Sequence, residues 1–284
     1  MLKRDCEAMK IIRVFPSRTS YTPTDEMAFV GYPPLWRPEC DEVHVSVTFT
    51  WDLPEAENLV KAWSNVAPVV KLGGPATGKV EGDFTPGMYV REGVTFTSRG
   101  CNNHCPWCLV PEREGKLREL PIKPGYIIQD NNFLQCSKAH RMAVYEMLKT
   151  QKKGAIFAGG LDSHLVTDEI ADELHSIRIE ALFFAADTVA ALEPLAEALK
   201  RLTWLDRRKL RCYVLLGYRG ETISQAEWRL EAVWKLGAMP FAQLYRPPTG
   251  EIEWSKDWRA LARTWSRPAA MIAMHKEDQG KEQS

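Results

Sequence analysis

"AIFAGGLDSHLVTDEIADELHSIRIEALFFAAD", residues 155–187, decides the fold. It opens with a short apolar run, "AIFAGG" (155–160), closed by a glycine pair. A threonine followed by acids then starts "TDEIADELHSI" (167–177), whose apolar residues recur at helical spacing. A second short apolar run, "ALFFAAD" (181–187), follows. Strand, helix and strand in so short a span predict a parallel βαβ unit, because parallel neighbours need a crossover between them. Outward from it the rhythm repeats. "VTFTS" (94–98), "YIIQD" (126–130), "LRCYVLLGY" (210–218) and "PFAQLYRP" (240–247) read as strands. "AHRMAVYEMLKTQ" (139–151), "VAALEPLAEALKRL" (189–202, with Pro194 in its first turns), "ISQAEWRLEAVWKLG" (223–237, stopping at Gly237) and a stretch around 256–265 read as helices.

Six β/α units fall short of an eight-unit barrel, which takes about 250 residues. The expected fold class is therefore α/β, an open partial (β/α)6 barrel over residues 91–267, with a parallel sheet wrapped by helices. Residues 1–90 are expected to form a small α/β appendage. It has a strand in "DEVHVSVTFTW" (41–51), a helix in "PEAENLVKAWSNV" (54–66) and a strand in "PVVKLGG" (68–74). These lie behind an irregular Pro/Tyr/Trp-rich stretch at 17–39. Residues 268–284, ending "HKEDQGKEQS", read as a flexible polar tail. In a parallel barrel chemistry collects at the C-terminal strand ends. "DNN" (130–132), "GGL" (159–161), "GYRGE" (217–221) and "QLYR" (243–246) all fall there.

The 284 residues carry 37 basic and 37 acidic side chains, a formal net charge of zero. That argues against a broad electrostatic grip on nucleic acid. No run approaches the roughly 18–20 apolar residues of a membrane span, and "MLKRDCEAMKIIRVF" at the start does not read as a secretory signal. The cytoplasm is the expected location. Of the seven cysteines, Cys6, Cys40, Cys136 and Cys212 are scattered and read as structural. Without an export signal, a metal or redox role for the clustered three is favoured over a disulfide framework.

Those three lie in "RGCNNHCPWCLVP" (99–111), where Cys101, Cys105 and Cys108 are spaced C-x3-C-x2-C. Three thiolates satisfy three irons of a cubane cluster and leave the fourth iron open. A structural zinc site wants four ligands; His104 lies between two of the cysteines, with its side chain expected to point away. Gly100 permits a tight strand-to-loop turn.

The motif "CNNHCPWC" resembles the C-x3-C-x-aromatic-C signature of the radical S-adenosylmethionine (SAM) superfamily, and the resemblance extends over roughly residues 90–250. It implies a partial barrel holding one 4Fe-4S cluster through Cys101, Cys105 and Cys108, with SAM on the open iron. It also implies reductive cleavage of SAM, normally to a 5′-deoxyadenosyl radical. Trp107 falls at the position that lies near adenine. Gly159 and Gly160 match the first two residues of the family's GGE motif, near the methionyl amino group. Leu161 replaces the glutamate, so Asp162 or backbone alone takes that part. Gly217, in "LLGYRGE" (215–221), is similar to the glycine beside adenine and ribose. Gln243 and Tyr245 fall at the sixth strand, where backbone contacts adenine, and Asp187 is a candidate for a ribose or methionyl contact.

The resemblance further implies a small electron-donor protein, such as a flavodoxin or ferredoxin. "TSRGCNNHCPWCLVPEREGKLREL" is nearest in flavour to the cobalamin-type and methylthiotransferase branches, but their accessory domains are incomplete and no cobalamin loop is present, so cobalamin is not expected. The N-terminal region is read as a truncated relic or a substrate cap. Asp130, Asn131 and Asn132 read as turn formers or as site residues. Arg113, Glu114 and Lys116 read as a solvated face, and His164 as a surface or cap residue. Substrate and overall reaction stay open. The alternatives are a non-catalytic iron-sulfur sensing protein on the same scaffold and a zinc-binding module.

Overall fold

A computed structural model describes residues 9–78, 88–247 and 252–281, with the side chains of 277–281 left aside. The chain divides into two units, Met1–Val94 and Thr95–Ser284. The first unit contains strands β1 (Ile11–Phe15), β2 (Ala28–Val30) and β3 (Glu42–Ser46), helix α1 (Leu53–Trp63) and strand β4 (Val69–Gly73). Its sheet runs β2-β1-β3-β4, every pair parallel. The expected βαβ unit is present as β3, α1 and β4. The N-terminal stretch adds two strands that were not expected. In β1, Ile12, Val14 and Phe15 are buried, and they interrupt a simple alternation because Arg13 is buried as well. The guanidinium of Arg13 pairs with Asp25 and donates to the carbonyl of Met88 at 2.9 Å. Trp63 of α1 closes this core, its indole N–H donating to the carbonyl of Gly31 at 3.0 Å.

The unit boundary falls within β5 (Val94–Thr95), and β6 (Ser98–Arg99), α2 (Val110–Glu114), β7 (Arg118–Glu119), β8 (Ile127–Ile128), α3 (Lys138–Lys149) and β9 (Ala155–Leu161) follow in the second unit. Then come α4 (Asp168–His175), β10 (Ile179–Ala185), α5 (Leu192–Arg201), β11 (Leu210–Leu216), α6 (Ile223–Lys235), β12 (Met239–Leu244), α7 (Lys256–Thr264) and α8 (Pro268–Lys281). Six strands form one sheet in the order β5-β8-β9-β10-β11-β12, with β5 and β12 as its edges. The four pairs from β8 to β12 are parallel. This is an α/β fold with a parallel sheet wound in chain order, and the sheet is not closed.

Local chemistry explains the helix starts. Ser137, Thr167, Thr222 and Ser255 each accept a backbone N–H of the first turn, and Thr222 with Gln225 forms a full capping box. Burial alternates along the strands. Leu182 and Phe184 of β10 and Cys212 and Val214 of β11 are buried under the helices. Phe183, Arg211, Tyr213 and Phe241 lie half-buried on the helix-free face. Truncating a fully buried residue such as Leu182 to Ala costs about 2–5 kcal/mol.

Two expectations need correction. The strand read over 94–98 is two short strands, because Thr97 and Ser98 turn to serve a buried carboxylate. The polar tail read over 268–284 is helical to Lys281. Its first turns have an apolar anchor: Met271 is buried, and His275 stacks on Trp234 of α6 with ring centroids 4.0 Å apart. The outer edge of β12 is also dressed. Pro240 has no N–H, and the N–H of Ala242 donates to the carbonyl of Trp265 at 3.1 Å.

Candidate functional site at the cysteine loop

The loop that carries the three cysteines joins β6 to β7, which pair antiparallel through Ser98↔Glu119 and Arg99↔Arg118. Gly100 begins it at φ +82°, and a Cβ there would come within 2.2 Å of the Lys116 carbonyl. Only glycine fits that turn. The N–H of Gly100 donates to Asn131 Oδ1 at 3.0 Å and to Glu114 at 3.3 Å. Glu114 also meets Arg99 at 3.3 Å, so it holds the loop from inside rather than lying on a solvated face. Cys101 donates its N–H to the carbonyl of Gly115 at 3.1 Å.

Further bonds tie the loop to the ends of successive strands. Asn103 Nδ2 donates to Asp162 Oδ2 at 2.8 Å, just past β9. Trp107 Nε1 donates to Asp187 Oδ2 at 3.1 Å, just past β10. Gln135 brackets the loop start, accepting from the Asn102 N–H at 2.8 Å and donating to Asn103 Oδ1 at 2.9 Å. Beneath it, Asp130 is buried and accepts from Thr97 N–H (2.6 Å), Thr97 Oγ1 (2.5 Å) and Ser98 Oγ (2.8 Å). Burial nevertheless pushes its carboxyl above its ordinary value.

The two predicted aspartates differ in charge preference. Burial opposes ionisation of Asp162, but bonds from Asn103 and His164 outweigh it and hold the carboxyl below its usual range. Burial dominates at Asp187 and raises it, against the Leu215 N–H at 2.9 Å, Arg229 and Trp107. Asp162 caps the turn that follows, accepting the His164 N–H at 3.1 Å, and His164 is the surface residue of the two expected readings, exposed with its ring nitrogen 3.0 Å from Asp162 Oδ1.

The three thiols are free. Cys101 and Cys105 are half-buried and Cys108 is exposed. Burial, then the neighbouring thiols, raise the pKa of Cys105; burial leads the rise at Cys108, with Cys101 and Asp187 adding to it. Among the described residues no group of three His, Cys, Asp or Glu side chains stands close enough to hold a metal ion. The thiols therefore share a loop and one another's field without converging on a point. In donor type the set fits an iron-sulfur cluster, being three free cysteines on one tethered loop. His104 is exposed and has no bond into the loop.

The glycines divide. At Gly159 a Cβ would fall 1.8 Å from the Asp130 carbonyl, so close strand packing alone demands glycine. Gly160, at φ +108°, faces open space. Leu161 is buried in the core and turned away from the loop's polar contacts. Gly217, at φ +75°, is covered by the Trp254 ring, which a Cβ would meet at 2.2 Å. Trp254 was not anticipated, and its buried indole N–H has no partner among the described residues.

Trp107 meets Tyr218 edge-on at 5.5 Å, and Tyr218 meets Tyr245 at 4.9 Å, which gives an aromatic row from the loop to the end of β12. Gln243 is exposed, and its side chain makes no hydrogen bond among the described residues. Arg229 of α6 also went unforeseen. It is buried, pairs with Glu221 and donates to the carbonyls of Ala186 (2.8 Å) and Leu215 (2.7 Å). An arginine at an apolar position of an amphipathic helix was the signal for it.

No helix among the described residues is long and apolar enough to cross a membrane. No protein-family model matches the chain, and no curated protein matches it in sequence.

Proposed function

We propose that the chain is a radical SAM enzyme in which Cys101, Cys105 and Cys108 ligate a 4Fe-4S cluster and SAM occupies the fourth iron. The observation that carries this reading is the tethering of one three-cysteine loop to the C-terminal ends of successive parallel strands, through Asn131, Asp162 and Asp187. Once bound, the cluster and SAM supply one-electron cleavage of a sulfonium, with the electron brought by a flavodoxin- or ferredoxin-like donor.

The chain's own residues do the positioning. Asp162, whose carboxyl is held below its ordinary value, offers negative charge beside Gly160, where the backbone faces open space. That suits the SAM amino group in place of the family's glutamate. Asp187 fixes the indole of Trp107, and the row Trp107, Tyr218, Tyr245 offers an apolar wall for adenine. Raised thiol pKa values at Cys105 and Cys108 mean that protons must leave as iron binds, so assembly is favoured by mildly alkaline conditions.

The test is anaerobic reconstitution with iron and sulfide. About four irons per chain, a cluster absorbance lost in Cys105→Ala, and 5′-deoxyadenosine formed from SAM under reduction are expected. Zinc in place of iron would sink the reading. A cluster that never turns SAM over would transfer the chain to the sensing alternative.

A further inference from the structure

Four arginines drawn away from solvent in this protein meet carboxylates. Arg13 pairs with Asp25, Arg99 with Glu114, Arg141 with Glu173 and Arg229 with Glu221. Arg211, the second residue of β11, does not. It is half-buried on the helix-free face of the sheet, and among the described residues its side chain has no hydrogen bond and no ion pair. Burial alone lowers its pKa, with no neighbouring acid to oppose it. β11 and β12 bring no acidic side chain, and Glu180 of β10 is exposed and makes no ion pair with it. A guanidinium withdrawn from water without a partner costs stability. An uncompensated cation on an otherwise apolar face is a place reserved for an anion that arrives from outside.

Its surroundings describe the rest of that ligand. Phe183 of β10 is its ladder neighbour, and Tyr213 follows on the same face of β11. The two rings stack at 4.9 Å and 27°. Phe241 of β12 meets Tyr213 edge-on at 5.7 Å, and the Tyr213 hydroxyl donates to the Ala158 carbonyl at 2.9 Å, which fixes that ring. None of these rings belongs to the core under the helices.

We propose that this face of β10, β11 and β12 binds a ring-bearing oxyanion, a carboxylate or phosphate, with Arg211 taking the charged group and Phe183, Tyr213 and Phe241 taking the ring. As a statement about the substrate it rests on the proposed function, whereas as a binding site it stands without it.

The full chain is titrated calorimetrically with phenyl phosphate, with phenylacetate and with neutral benzyl alcohol, for wild type, Arg211→Lys and Arg211→Met. At least one anion should bind about tenfold or more tightly than benzyl alcohol. Arg211→Lys should keep part of that preference and Arg211→Met should lose it. The ligand-free Tm of Arg211→Met should hold or rise, because an unpaired charge has been removed. Whichever anion binds better identifies the oxyanion. Equal binding of all three probes by wild type, an unchanged preference in Arg211→Met, or a lower Tm with unaltered binding would overturn the proposal. No step of this test involves SAM or the cluster, so its failure leaves 5′-deoxyadenosine formation unaffected, and the reverse holds too.

Discussion

Cys108 is exposed while Cys136 and Cys212 are sealed in the core, so the thiols of this chain are not chemically equivalent. Alkylation of the native protein without iron should modify Cys108 first, Cys101 and Cys105 more slowly, and Cys136 and Cys212 only after unfolding, as peptide mapping would reveal. Protection of the loop cysteines after reconstitution would follow if they are ligands. Asp187 makes a second residue-scale claim. Asp187→Ala strands the Leu215 N–H and frees the Trp107 indole, so it should cost about 1–3 kcal/mol and lower iron incorporation; denaturant melts and iron analysis check both. The positions of Cys101, Cys105, Cys108, Asp162 and Asp187 were legible because spacing and strand ends locate them. Asn103, Gln135 and Trp254 were not. A side-chain amide or indole takes its meaning from the partner opposite, and here every such partner comes from a distant segment.

At the scale of elements, the strands from β8 to β12 and the helices between them were readable, since their apolar periods are regular and α3, α4 and α6 open on capping residues. β2 was not readable. It is three residues long, contributes no fully buried side chain and owes its existence to ladder bonds with β1. The split of 94–98 into β5 and β6 was equally hidden, because it depends on Asp130 from a later segment drawing in Thr97 and Ser98. Helices α3 and α4 are joined by a bidentate pair: Arg141 donates to Glu173 at 2.8 and 2.9 Å, and its third bond goes to the Cys136 carbonyl at 2.7 Å. Glu173→Ala should cost about 3–5 kcal/mol by leaving that guanidinium buried and unpaired. Adding Arg141→Met should recover a large part of the loss. A double-mutant cycle in urea measures the coupling, and simple additivity would contradict it.

The whole molecule should lose stability as the medium turns alkaline. Burial pushes the Cys136 thiol from its ordinary 9.0 up to about 11, so between those values the folded chain keeps a proton that the unfolded chain has released. Stability is then full below about pH 9 and falls toward pH 11, by about 2–3 kcal/mol from this group. Cys212, fully buried and also shifted upward, acts in the same direction. Urea midpoints at pH 8 and pH 10.5 test the sign, and Cys136→Ala should flatten the slope. The dressed margin of β12 has its own consequence at this scale. A parallel sheet that stays open has a last strand whose outward amides could recruit a foreign strand. Here one such amide is absent at Pro240 and the next, at Ala242, is already engaged by Trp265. The sheet therefore ends by its own chemistry, and strand-by-strand growth into aggregates is blocked at that border without any second chain to cover it.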